Sequence, residues 1–236
     1  TGHYVQKIPD KGGSASLFRA TDPDKDQSYF LFNMNQEQLQ HLLFPIGHLT
    51  KDQVRQLARE NGLITSEKPE SQDICFIPNR DTAGFVKSQL PVYEQKKGNF
   101  ITKDGEAVAS HEGIHAYTIG QRRGLKVALG ERTYVTEIRP ETGDVVLGSQ
   151  EDLMKQIVLA SGVTFLLREG IDANMEIEAK VRYRHLPAKA RLTLSDGGVK
   201  AKIEFLEPQR AITPGQAIVF YKGEKLLGGG WIEQAQ

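Results

Sequence analysis

Met175-Glu176-Ile177-Glu178-Ala179-Lys180-Val181-Arg182-Tyr183 alternates apolar and charged side chains with a period close to two. That is the signature of a strand with one buried and one solvated face. Downstream, residues 191–194 and 199–206 flank Ser195-Asp196-Gly197-Gly198, and residues 216–221 and 226–232 flank Lys222-Gly223-Glu224. Both connections carry glycine, which accepts the positive φ of a tight hairpin. Five or six short strands at this spacing predict a small closed antiparallel β-barrel or a sandwich over residues 152–236. Gly228-Gly229-Gly230 falls on the last of these strands. No helix follows to offer free amides, so it reads as a close-packed strand or bulge rather than a phosphate loop.

Upstream, Lys103-Asp104-Gly105-Glu106 is a hairpin signal, and Thr142-Gly143-Asp144 separates predicted strands at 134–138 and 145–147. Residues 85–151 are therefore expected to form a small, mostly β domain. The texture before residue 85 differs. Residues 35–44 predict a short helix with Leu39, Leu42 and Leu43 on one buried face, stopped by Pro45. Thr50-Lys51-Asp52-Gln53 is a capping-box pattern opening a second helix, with Val54, Leu57 and Ala58 on one face and Asn61-Gly62 as its C-cap. Residues 64–71 read as a polar loop, 73–77 as a short buried strand and 81–90 as a helix ended by Pro91. The predicted class is α+β and multidomain.

Hydrophobic residues make up 39% and charged residues 25% of the 236, ample for packed cores. Formal net charge is zero, so a nucleic-acid partner would have to be met by local patches. Apolar runs are too short to span a bilayer, and Thr1-Gly2-His3-Tyr4 does not open a basic-then-apolar leader. The expectation is no membrane contact.

The one cysteine, Cys75, cannot pair within the chain, which argues against a disulfide scaffold and for a reducing compartment. It is either buried filling beside Ile74, Phe76 and Ile77 or a reactive thiol at the end of a polar loop. Asp73 would share its strand face and disfavour the thiolate, so the local residues alone do not decide.

Lys180, Arg182, Arg184, Lys189 and Arg191 lie in a twelve-residue stretch without an acid. In a continuing strand, Lys180, Arg182 and Arg184 would share one face with Tyr183 on the other. Cations so placed suit phosphates, and an aromatic ring suits a splayed base. A solvated strand face explains the same residues. Gln121-Arg122-Arg123-Gly124 is a second, loop-borne basic cluster. His111 and His115 are four apart, but Gly113 between them argues against a helix and hence against a metal pair.

Ser71-Gln72-Asp73-Ile74-Cys75-Phe76 followed by Tyr117-Thr118-Ile119-Gly120-Gln121-Arg122-Arg123-Gly124-Leu125 resembles the tRNA-specific 2-thiouridylases. The resemblance extends through Thr1-Gly2-His3-Tyr4, Lys25-Asp26-Gln27-Ser28-Tyr29, Pro45-Ile46-Gly47, Ser66-Glu67-Lys68-Pro69-Glu70-Ser71-Gln72, Arg182-Tyr183 and Pro214-Gly215-Gln216. It implies that Cys75 carries a persulfide and that Gly2 contacts ATP. It also implies that His3, Lys25, Asp26, Gln27, Arg182, Tyr183 and Gln216 contact tRNA.

The implied reaction starts with ATP and magnesium, which activate the 2-oxygen of a wobble uridine by adenylation. Sulfur then passes from Cys75 to C2, directly or as hydrosulfide. The implied partners are a tRNA bearing a wobble uridine and a persulfide relay protein, around a cytoplasmic monomer. Two family elements have no match in these residues, the glycine-rich phosphate loop and a second cysteine. The sequence is thus expected to be the C-terminal two-thirds of the enzyme, inactive alone and binding no ATP. Residues 1–84 are expected to be the helical remainder of an α/β nucleotide-binding domain of the ATP-pyrophosphatase type. A stand-alone RNA-binding β module, or a sulfurtransferase for a substrate other than tRNA, are the competing readings.

Overall fold

The computed structural model describes residues 1–68, 77, 81–89, 97–127, 130 and 132–236. They divide into two units, one of residues 1–68, 156–208 and 213–236, the other of residues 69–155 and 209–212.

The first unit is organised by a sheet. Strand β1 (Val5–Pro9) pairs antiparallel with β2 (Ala15–Arg19), and β2 pairs with the start of the last strand of the chain. Both strands are five residues long. Two helices follow, α1 (Gln36–Gln40) and α2 (Lys51–Glu60). Both begin with reciprocal capping boxes, Asn35 with Gln38 and Thr50 with Gln53. The first helix is shorter than the expected 35–44. The amide of His41 turns back to Gln38 and Leu39. Leu39 is buried as expected, whereas Leu43 is exposed because it lies beyond the helix. No residue of α2 is buried, so its apolar stripe has no core beneath it among the described residues. Gly62 does take the left-handed conformation after α2, with φ 67°.

The barrel consists of β7 (Met154–Phe165), β8 (Asn174–Lys180), β9 (Ala188–Ser195), β10 (Lys200–Arg210), β11 (Ala217–Lys222) and β12 (Lys225–Ala235). Their order is β12-β11-β8-β9-β10-β7, and β12 closes onto β7. The hairpin turns at 195–198 and 222–224 are where the sequence placed them. β11 is buried on both faces. Ala217, Val219 and Tyr221 pack with Val5, Leu17, Tyr29, Phe32, Leu39 and Phe44 of the first 68 residues. Ile218 and Phe220, which alternate with them, are also fully buried. The glycine run of β12 is closely packed. A Cβ on Gly229 would stand 2.5 Å from the Ile218 carbonyl oxygen, and one on Gly230 would stand 2.9 Å from that of Ser161.

The second unit holds helix α3 (Thr82–Gln89) and a four-stranded sheet of β3 (Gly98–Ile101), β4 (Ala107–His111), β5 (Tyr134–Arg139) and β6 (Asp144–Gly148). Its order is β4-β3-β6-β5. The expected hairpins pair antiparallel and the β3–β6 contact is parallel. Phe100, Leu125, Val135, Val145 and Leu147 form its core. His111 sits on β4, buried against Phe100 and Tyr117, while His115 lies in a separate helical turn, Ile114–Ala116.

Candidate nucleic-acid interface

Three segments far apart in sequence meet in the first unit. The centre is the turn Ser28–Leu31, which follows Lys25-Asp26-Gln27 directly. Asp26 is buried, and its carboxylate accepts from the amides of Ala20 (3.2 Å) and Ser28 (3.1 Å) and from the Ser28 hydroxyl (2.9 Å). Burying a charge is tolerated only with such partners. The Ser28 hydroxyl also lies 3.1 Å from that of Tyr221 on β11, which fixes the turn to the barrel. Arg19 stacks its guanidinium 4.3 Å from the Tyr221 ring centre and reaches Glu178 and Glu224 at 3.6 and 3.8 Å. Gln27 ties the turn to the N-terminal segment. Its amide donates to the Tyr4 carbonyl at 2.9 Å, and its side-chain oxygen accepts from the Tyr4 amide at 3.0 Å. His3 and Gly2 therefore lie on the same edge as Gln27. The His3 ring is 2.7 Å from the Thr1 hydroxyl, and Gly2 is exposed.

The second segment comes from the barrel. β8 ends at Lys180, and residues 181–185 form a turn closed by the His185 amide on the Arg182 carbonyl at 3.0 Å. The single-faced row of Lys180, Arg182 and Arg184 expected from a continuing strand is thus not formed. Lys180 is buried at the end of the strand, and Arg182 and Arg184 sit in the turn. Burial lowers the Lys180 ammonium pKa below its ordinary value; nearby Asp26 opposes this and Arg19 adds to it. Burial, with Arg182 and Lys180 adding, also lowers the His185 pKa, which favours its neutral form. Tyr183 packs its ring 4.5 Å from that of Phe30 and 6.4 Å from that of Tyr29, with the Lys180 ammonium 5.7 Å from its centre.

The third segment precedes β11. The Tyr29 hydroxyl donates to the Ala217 carbonyl at 2.9 Å, so Gln216 adjoins the same turn. Gln216 is itself held by the Ile232 amide donating to its carbonyl at 2.8 Å. Burial raises the Tyr29 phenol to about 12.

The structure so brings together Gly2, His3, Lys25, Asp26 and Gln27, and sets Arg182, Tyr183 and Gln216 around the turn that follows them. Of the two aromatics at its centre, Tyr29 closed the quoted motif without a role of its own, and Phe30 was not singled out from the sequence. The signal was there, an aromatic pair one serine after the lysine-aspartate-glutamine stretch. Cys75 lies outside the described residues, as does the predicted strand at 73–77 apart from Ile77. Among the described residues no group of three or more His, Cys, Asp or Glu is placed to hold a metal, and no helix is long and apolar enough to cross a membrane.

The described residues thus combine an N-terminal β-hairpin with two helices, a small four-stranded sheet and a six-stranded barrel. Residues 1–79 match the tRNA methyl transferase HUP domain, 84–149 the tRNA methyl transferase PRC-barrel domain and 155–232 the aminomethyltransferase beta-barrel domain. The chain is 47% identical over 235 residues to a tRNA-specific 2-thiouridylase MnmA of Carboxydothermus hydrogenoformans, covering 99% of this chain and 64% of that one. Proteins of the same name from Clostridium perfringens and Clostridium kluyveri are 43% and 44% identical, again over 99% of this chain and 64% and 65% of theirs. The chain belongs to the tRNA-specific 2-thiouridylase family, and it spans a little under two thirds of the length of these relatives.

Proposed function

We propose that these residues are the tRNA-holding part of a tRNA 2-thiouridylase. In this reading the enzyme moves a persulfide sulfur from Cys75 to C2 of the wobble uridine of tRNA. The observation that carries the reading is the meeting of Lys25–Gln27, Arg182-Tyr183 and Gln216 around Tyr29. Three elements that resemble tRNA contacts in sequence share one frame of hydrogen bonds and ring contacts. Arg182 and Arg184 in the turn suit phosphates, which position an RNA.

The family resemblance adds ATP with magnesium to the intact enzyme. Gly2 is the one residue here that resembles an ATP contact, and a Cβ added to it would meet nothing within 4 Å. Its surroundings are open rather than a cradle, and the described residues do not fit a triphosphate. No activation step is assigned to them. The 236 residues alone are then expected to bind tRNA without turning it over. A relay protein delivers sulfur to Cys75, and the enzyme works as a cytoplasmic monomer. Residues 1–84 complete the nucleotide-binding domain, 85–151 form the central domain and 152–236 the tRNA-contacting barrel.

The test compares binding of this chain to a tRNA with a wobble uridine and to an unrelated RNA of equal length. Cys75 is loaded in parallel with a persulfide donor and read by mass spectrometry. Preference for the tRNA together with sulfur on Cys75 supports the reading. RNA binding without sulfur would favour a β module without chemistry, and sulfur without tRNA preference a different substrate.

A further inference from the structure

We propose that the groove beside Tyr183 seats one unpaired RNA nucleobase, stacked on Phe30. The inference rests on the tRNA reading above and adds a residue and a ligand chemistry to it. Phe30 is 54% exposed, so its ring offers a face to a ligand. Its position is set from both sides. Its amide donates to the Gln27 carbonyl at 3.1 Å, Tyr29 meets it edge-on with ring centres 5.6 Å apart, and Tyr183 lies tilted at 37° and 4.5 Å away. A ring so held loses little freedom when a second ring stacks on it.

Phe30 forms one wall of an open groove of about 530 Å³, completed by Asn33, Met34, Gln38, His41 and Leu42. Apolar walls with a few neutral polar groups fit a flat heteroaromatic ligand. The Asn33 side-chain oxygen accepts from the Thr164 hydroxyl at 3.1 Å, which fixes the amide with its NH₂ as the remaining donor. Gln38 is fixed in the same way, its oxygen accepting from the Asn35 amide at 3.0 Å. Two oriented donors suit the carbonyl edge of a base. No acid is among the lining residues, and Arg182 and Arg184 flank Tyr183, so the charge favours a strand of phosphates passing by. Lys7 is not available to the groove, since its ammonium is taken by the carbonyls of Leu39 and Leu42.

The test uses the whole chain and two RNAs of equal length and charge, a stem with a seven-base unpaired loop and a fully paired duplex. Phe30→Ala is expected to weaken loop binding by roughly five- to 150-fold, the range typical for removing one stacked base. Duplex binding and the salt dependence should be unchanged, because Phe30 touches no phosphate in this arrangement. Phe30→Trp should keep loop affinity and Phe30→Leu should not, which separates stacking from burial. Melting temperatures check that each variant folds. Equal losses for loop and duplex, or none for either, would overturn the stacking site while wild-type tRNA binding leaves the functional reading intact. Absence of any RNA binding by the wild type would overturn both.

Discussion

Gly47 offers the sharpest test of how the N-terminal edge is built. It belongs to the Pro45-Ile46-Gly47 element, and a Cβ there would be driven into the Val5 carbonyl group and stand 2.9 Å from the Gln6 amide nitrogen. The obstructing atoms are all backbone of β1, so no rotamer change relieves the clash. Gly47 is also fixed from its other side, since its carbonyl accepts from the Thr21 amide at 3.0 Å. Overpacking costs about 1–3 kcal/mol where side chains can shift, and more where they cannot. Gly47→Ala is therefore expected to destabilise the first unit by about 3 kcal/mol, a drop of roughly 6–12 °C in melting temperature for a domain of this size. Because β1 continues from Tyr4, which holds Gln27 through two hydrogen bonds, tRNA affinity should fall with it. Gly2→Ala is the control. Nothing lies within 4 Å of its Cβ, and its cost should stay within about 0.5 kcal/mol. Calorimetry of the two variants checks both figures. A Gly47→Ala melt within about 2 °C of wild type, under 1 kcal/mol on the same scale, would show that β1 does not run against Gly47.

Replacing Arg182 and Arg184 with glutamate should weaken tRNA binding and flatten its salt dependence by roughly 0.7–0.9 in the log–log slope for each phosphate no longer neutralised. A filter-binding series across salt concentrations measures it. Tyr29→Phe removes a donor from the Ala217 carbonyl and should cost about 1 kcal/mol in denaturant unfolding. The wild type should lose stability in alkali for the same reason. Burial raises Tyr29 to about 12 and pushes Tyr221 in the same direction, so the unfolded chain releases their protons first. Their contribution is complete below the unfolded value near 10 and is lost as pH rises through the folded one. Phenolate absorbance followed with circular dichroism should show these two tyrosines ionising only as the chain unfolds.

The barrel was legible because its information is local. Ser195-Asp196-Gly197-Gly198 and Lys222-Gly223-Glu224 announce their turns, and the alternation from Met175 marks a strand. Where that strand stops was not legible. The alternating letters continue to Tyr183, but the chain turns after Lys180, and only the three-dimensional environment of Lys180 and Phe30 reveals it. The β1–β2 hairpin was missed for a related reason. Its sheet partner is β12, more than two hundred residues away, and no short-range pattern encodes that pairing. Residues 216–221 were read as one strand of a hairpin, and that this strand is covered on both faces, with residues 1–68 supplying part of the cover, came from the fold. The site residues were found through motif resemblance. Their common frame, through Ser28, Tyr29 and Tyr221, came from packing.

The most direct test of the central claim is sulfur transfer by the full-length enzyme with Cys75→Ser, reading 2-thiouridine in digested tRNA by mass spectrometry. The account predicts that the serine variant forms none, while its stability changes by no more than about 1–2 kcal/mol and its tRNA affinity stays that of wild type. A serine variant that thiolates tRNA at the normal rate would contradict it.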